Sequence, residues 1–155
     1  MSVPFLTLRL QYGTWYGDTK WLESIQRRWT KQVCGFEELS YAERLERLNL
    51  YSVQGRRLRQ DLIYCYKIFH DLSVIKPSDI FTLSPAIGTR GHRFKVQVQH
   101  VQLEVRRKFF SSRVVLKWNS LPEEVVEAQS LSAFKSGIHS FLHDDLFDYI
   151  DWNHP

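Results

Sequence analysis

Downstream of residue 104 the apolar positions recur at helical spacing, and projecting them at about 100° per residue sorts them into rows. Val105, Phe109 and Leu116 share one row, and Phe110, Val114 and Trp118 share another, with Arg106, Arg113 and Lys117 in the lane between. Two apolar rows predict a helix over 105–118 that is sandwiched between neighbours rather than laid on a surface. Asn119 and Pro122 stop it, and Ser130 caps a further helix with the stripe Leu131, Phe134, Ile138, Phe141 and Leu142. Arg113, set between apolar rows, is expected in a structural ion pair with Glu123 or Glu124.

The same spacing predicts three helices upstream. Over 21–34 the stripe is Leu22, Ile25, Trp29 and Val33, Arg27, Arg28 and Lys31 lie on the opposite side, and Gly35 is the stop. Over 40–50, S-Y-A-E is a capping box in which Ser40 caps and Glu43 bonds back, with Leu45 and Leu48 inward. Over 53–72 a wide stripe of Leu58, Leu62, Cys65, Tyr66, Phe69 and Leu72 has Ile63 and Ile68 at its edges. Its other side presents Arg56, Arg57, Gln60, Tyr64 and Lys67. Pro77 and Pro85 make 73–88 a connector, with Ile80, Phe81 and Leu83 turned into the core. The alternation Phe94, Val96, Val98, slipping to Val101 and Leu103, predicts a strand or small hairpin near 94–103 with a bulge at Gln99 and His100. The fold class is mainly α, a compact bundle of about five helices with that short β element. Residues 1–20 read as a poorly structured leader, 21–142 as the helical domain and 143–155 as a loosely attached acidic tail.

Composition adds two constraints. An apolar content of 43% with 14% aromatics in 155 residues is that of a folded chain with a real core. Net charge is +4, but residues 1–118 carry +10 and residues 119–155 carry −6. A basic body with an acidic end suggests either a polyanionic partner or a tail that shields the basic face. Cys34 and Cys65 both sit in apolar helical patterns, as small buried hydrophobes in a reducing compartment would. The N-terminal residues lack a secretory pattern, and no apolar run approaches the ~20 residues that span a bilayer. The expected setting is intracellular, nuclear or cytoplasmic, without a membrane partner.

No catalytic constellation is present. G-x-G-x-x-G, G-K-[ST], G-x-S-x-G and H-E-x-x-H are all absent. His139 and His143, with Asp144 beside them, have metal-capable spacing but no third ligand, and the aspartates from Asp144 to Asp151 read as a solvated tail. Neither a metal, a cofactor nor a small-molecule substrate is expected. What remains is the basic surface: Arg27, Arg28 and Lys31, then Arg56, Arg57, Gln60, Tyr64 and Lys67. A tyrosine among cations suits a nucleic-acid strand, since the ring can stack a base while the cations hold phosphates. A solvated basic face with a snorkelling tyrosine is the bland alternative.

Four blocks follow one another in order: L-S-Y-A-E-R-L-E-R-L-N-L (39–50), R-R-L-R-Q-D-L-I-Y-C-Y-K-I (56–68), T-R-G-H (89–92) and F-F-S-S-R-V-V-L-K-W-N-S-L-P-E-E-V-V-E-A-Q-S-L-S-A-F-K (109–135). Together with Q-R-R-W-T-K (26–31), their order and spacing closely resemble the C-terminal part of the polymerase polyprotein of non-LTR (LINE-type, CR1 or jockey-like) retrotransposons, downstream of the reverse transcriptase palm. The resemblance implies a thumb-side helical region that grips RNA or an RNA–DNA duplex. Such a polymerase holds two metals with paired aspartates, normally in Y-x-D-D, and no such motif occurs here. The expected function is therefore that of a reverse transcriptase (RNA-directed DNA polymerase) C-terminal fragment, non-catalytic alone, with residues 1–20 as a foreign leader. The alternative is a vestigial or domesticated helical protein-interaction domain.

Overall fold

Local polar signals set the helix ends, and tertiary packing decides which faces are buried. The computed structural model describes residues 16–84, 91–99 and 109–147, and over these the chain is mainly helical. The helices are α1 (Tyr16–Lys31), α2 (Tyr41–Arg47), α3 (Val53–Phe69), α4 (Pro77–Ile80), α5 (Phe110–Arg113), α6 (Val115–Ser120), α7 (Glu123–Val126), α8 (Leu131–Phe141) and α9 (His143–Phe147). The chain divides into two compact units, Thr14–Arg59 with Leu142–Pro155 and Met1–Gly13 with Gln60–Phe141, and the division falls within α3.

In the unit built on Gln60–Phe141, Trp118 is fully buried. Its indole stacks on Phe69 with centroids 5.1 Å apart and the planes 11° from parallel, and tilts against Phe134 at 6.3 Å. Its ring N–H donates to the Phe94 carbonyl at 2.9 Å, as a buried indole requires. The neighbouring Asn119 side chain behaves like a strand edge: its oxygen accepts from the Val96 N–H at 2.9 Å and its amide donates to the Val96 carbonyl at 2.7 Å. Val96 is itself buried and forms an isolated antiparallel bridge with Leu83. The Ser84 and Gln97 N–H groups close it on the Lys95 and Thr82 carbonyls at 2.9 and 2.8 Å. The expected strand or hairpin is thus a single bridge among the described residues, because Asn119 occupies the edge a further strand would use; Val101 and Leu103 lie outside those residues.

Other expectations for this unit change as well. The sandwiched helix over 105–118 is, from Phe110 onward, two short helices broken at Val114. The expected row of Phe110, Val114 and Trp118 is buried together with Val115, while Leu116, from the other expected row, is exposed. Residues 105–108 lie outside the described residues. Leu72, Leu83 and Phe141 are also exposed, although Phe81 is buried as expected and Ser130 caps α8 through the Ala133 N–H at 3.1 Å. Tyr66 stacks on Phe134 at 4.4 Å and donates to the Ala128 carbonyl at 2.6 Å, and His70 bonds the Val126 carbonyl at 2.8 Å. These bonds tie the turn between α7 and α8 to α3.

Arg113 does form a structural ion pair, but its partner is Asp61. The guanidinium donates twice, at 2.7 and 2.8 Å, to the two carboxylate oxygens, while Glu123 and Glu124 stay exposed on the first turn of α7. A fork-to-fork pair satisfies a nearly buried carboxylate better than one rim glutamate could. One turn further along α3, burial first and Asp61 second push the Cys65 thiol up, so it is an inert core group.

In the other unit, α1 packs on α2, and α9 packs on α2. Ser52 caps α3, accepting the Gly55 N–H at 2.9 Å, and the Ser52 N–H donates to the Leu146 carbonyl at 3.0 Å. Gly55 is buried against the Leu146 backbone, and any Cβ there would collide with it. The acidic stretch therefore begins as a packed helix rather than a loose tail, with Leu146 and Phe147 buried. Likewise α1 starts at Tyr16, within the expected leader. Cys34 is exposed rather than buried, because α1 ends at Lys31 and Gly35 (φ 81°) turns the chain away.

Two outcomes follow from the buried polar groups. Asp61→Ala or Arg113→Ala alone should lower unfolding free energy by about 2–4 kcal/mol, since each strands a nearly buried charge. In chemical denaturation the Asp61→Leu/Arg113→Met double variant should lose less than the two alanine losses added together; simple additivity would show that the pair is uncoupled. His92 is buried, and its Nε2–H donates to the Trp118 carbonyl at 3.1 Å, while Nδ1 has no partner among the described residues. Burial holds its pKa below the ordinary value. The unfolded chain then binds the proton more readily, so stability is full above about pH 6.5 and falls as pH drops below that. The advantage of the native chain over His92→Gln in urea should shrink from pH 7.5 to pH 5.5, and a constant gap would refute it.

Candidate nucleic-acid interface

Helix α1 packs with the opposite face to the one its hydrophobicity suggests. Thr19, Glu23 and Thr30 are buried and Gln26 is half-buried, a run with steps of four, three and four residues along one helical face. Leu22 and Ile25 are instead exposed, and Trp21 and Trp29 are 65% and 71% accessible. The expected inward stripe of Leu22, Ile25 and Trp29 is thus corrected, with Val33 half-buried beyond the helix end.

The reason lies in what the polar face satisfies. Glu23 accepts the Tyr41 hydroxyl through Oε1 at 2.5 Å and the Val53 N–H through Oε2 at 2.8 Å. The second bond caps the first turn of α3, where a carboxylate also meets the positive end of the helix dipole. Burial, then the bond to Glu23, push the Tyr41 hydroxyl well above its usual pKa, so it remains a donor. Gln26 donates to the Tyr41 hydroxyl at 3.1 Å and the Tyr51 carbonyl at 3.0 Å. Thr30 Oγ1 accepts from the buried Arg44 Nε at 3.3 Å, and Arg44 also donates to the Leu39 carbonyl at 2.5 Å. No apolar face could satisfy the Tyr41 hydroxyl, the Arg44 guanidinium and the first N–H of α3 together.

This network sorts the expected site residues. Arg56 donates to the Gln26 side-chain oxygen, and Arg57 donates to Thr19 Oγ1 at 3.2 Å. Arg27 lies over the Tyr41 ring at 5.0 Å. Arg57 is half-buried in its structural role, while Arg27 and Arg56 keep an exposed side. Arg28 and Lys31 are exposed in the last turn of α1 and have no partner among the described residues. Their bland role is to offset the negative end of the helix dipole. Gln60, Tyr64 and Lys67 belong to the other unit. There Gln60 is exposed, Lys67 is half-buried, and the half-buried Tyr64 ring meets Phe110 edge-on at 5.5 Å. That contact puts Tyr64 against the core rather than free to stack a base.

Sequence reasoning missed the exposed tryptophans. Their signal was available: the polar face of α1 keeps the same helical period as the apolar one, so two faces competed for the interior. Among the described residues, no group of three or more His, Cys, Asp or Glu is placed to hold a metal ion. Also among them, no helix is long and apolar enough to cross a membrane. No protein-family model matches the chain, and neither does any curated protein or solved structure.

The inverted packing of α1 has a direct test. Glu23→Ala should cost about 2–4 kcal/mol, because it leaves two half-buried donors, the Tyr41 hydroxyl and the Val53 N–H, without this carboxylate. Trp29→Ser, at an exposed position, should change stability by only about 0.5 kcal/mol. Denaturant midpoints in the reverse order would mean that the apolar face is the buried one.

Proposed function

We propose that the chain is the helical region behind the palm of a non-LTR retrotransposon reverse transcriptase, binding RNA or an RNA–DNA duplex and non-catalytic by itself. The observation that carries the binding is the outward row of Arg28 and Lys31 on α1, in the same unit as the exposed sides of Arg27 and Arg56. Arg28 and Lys31 have no carboxylate partner among the described residues, and such cations can exchange counterions with phosphates, which supplies sequence-independent affinity. Three members of the blocks that support the family reading have packing roles instead: Trp118, Asn119 and Arg113. Family likeness and ligand contact therefore rest on different residues. The reading without catalysis rests on the missing Y-x-D-D motif in the sequence.

A second reading, a helical protein-interaction domain, draws on the apolar side of α1, where Trp21, Leu22, Ile25 and Trp29 are exposed. Titration of a labelled RNA–DNA duplex distinguishes the two. Binding should weaken steeply with salt, with a log–log slope of about −0.9 per phosphate contacted. Arg28→Glu/Lys31→Glu should reduce affinity at least about tenfold, while unfolding changes by no more than about 2 kcal/mol, the helix-dipole contribution of two last-turn cations that have no side-chain partner among the described residues. Salt-insensitive binding, or no binding at about 50 mM salt, would overturn the nucleic-acid reading.

A further inference from the structure

We infer that the exposed face of α1 is where two copies of this chain meet, α1 against α1 in antiparallel, with Ile25 on the twofold axis. Trp21, Leu22, Ile25 and Trp29 fall within roughly 100° of the helix circumference, and all four are exposed. Four apolar side chains in one patch, two of them indoles, mark an interaction surface rather than ordinary scattered exposure.

The symmetry of that patch selects the occupant. Trp21 and Trp29 each stand four residues from Ile25, so the row Trp21–Ile25–Trp29 is the same read in either direction. An isologous contact needs a surface that is its own complement. Antiparallel pairing seats Trp21 of each copy beside Trp29 of the other and opposes the two helix dipoles. Rows of this four-residue spacing are also the ridges that interdigitate in the commonest helix–helix contact. Area agrees with a second copy. Trp21 and Trp29 are 65% and 71% exposed, so the four indoles of a pair would remove roughly 550 Å² from water. Leu22, Ile25 and the stem of Arg28 from each copy bring the total toward the ~1,000 Å² of a weak, reversible interface.

Charge fits the same arrangement. Arg28 and Lys31 lie about 60° and 120° round the helix from Ile25, on the flank away from Leu22. A twofold axis perpendicular to both helices puts this flank of each copy on the same side of the pair, outside the contact. The two copies thus join their exposed cations into one basic face, which a single chain cannot present. The dimer itself does not require nucleic acid, so it goes beyond the proposed function and can fail separately from it.

Sedimentation of the full chain between about 1 and 300 μM should show a reversible monomer–dimer equilibrium with its Kd in that range. The equilibrium should persist at about 0.5 M salt, where phosphate contacts are screened. Trp29→Ser should raise the Kd at least about tenfold. Ile25→Lys places like charges on the axis and should leave only monomer, as should Ile25→Glu, while an equal mixture of the two should dimerise again. Because Ile25 is exposed, each variant should keep the native denaturant midpoint at low protein concentration. Direction is read by oxidation after the exposed thiol of Cys34 is replaced by serine. Ile25→Cys should then cross-link to itself, and Gln32→Cys, at opposite ends of an antiparallel pair, should not. A dimer that survives Ile25→Lys, or a mixture that stays monomeric, would overturn the proposal, and ready cross-linking of Gln32→Cys would overturn its antiparallel form. A native chain that stays monomeric throughout would overturn it and leave the face to a different protein.

Discussion

A buried polar group must find its partner, and in both units that requirement decides how the helices lie. Glu23 has two donors, the Tyr41 hydroxyl and the Val53 N–H, which no other described side chain is shown to satisfy. Removing water from a carboxylate costs several kcal/mol, offset only when its oxygens are bonded. Turning α1 to bury Leu22 and Trp29 would forfeit those bonds and strand Arg44 without Thr30. Hydrophobic burial is non-directional and can be supplied by many faces. The hydrogen bonds cannot, so they win.

In the unit built on Gln60–Phe141 the same rule works through neighbours in sequence. Trp118 and Asn119 serve opposite needs with adjacent residues: the indole fills the core, and the amide completes the hydrogen bonding of Val96. His92 anchors the start of that segment through the Trp118 carbonyl. The K-W-N and G-H fragments thus form one structural device. Conservative substitution of Asn119 would be poorly tolerated, since only a side-chain amide of that length offers both donor and acceptor there.

For function, the consequence is a division of labour. Cations whose side chains are committed, such as Arg57 on Thr19 and Arg113 on Asp61, hold the fold. Those left outside, Arg28 and Lys31, are exposed and have no side-chain partner among the described residues. Because α1 buries its polar face, its apolar row lies outside beside that basic row. One helix thereby carries an exposed apolar row and exposed cations side by side.

The sequence by itself determined the helical class, the capping box of Ser40 and Glu43, the Ser130 cap and a paired Arg113. All of these depend on residues within a few positions of one another, or on one residue's need for a partner, so spacing alone expresses them. Tertiary structure decided the rest. Asp61 rather than Glu123 or Glu124 meets Arg113, the β element among the described residues is the Leu83–Val96 bridge, and Leu116 is exposed while Val115 is buried. It also chose between the two faces of α1, which put Trp21 and Trp29 on the surface, and separately set the Tyr64 ring against Phe110. A hydrophobic period says that a face could be buried. Which face is buried depends on bonds to residues 18 to 30 positions away, such as Tyr41 and Val53 for Glu23, and a helical period contains no record of them.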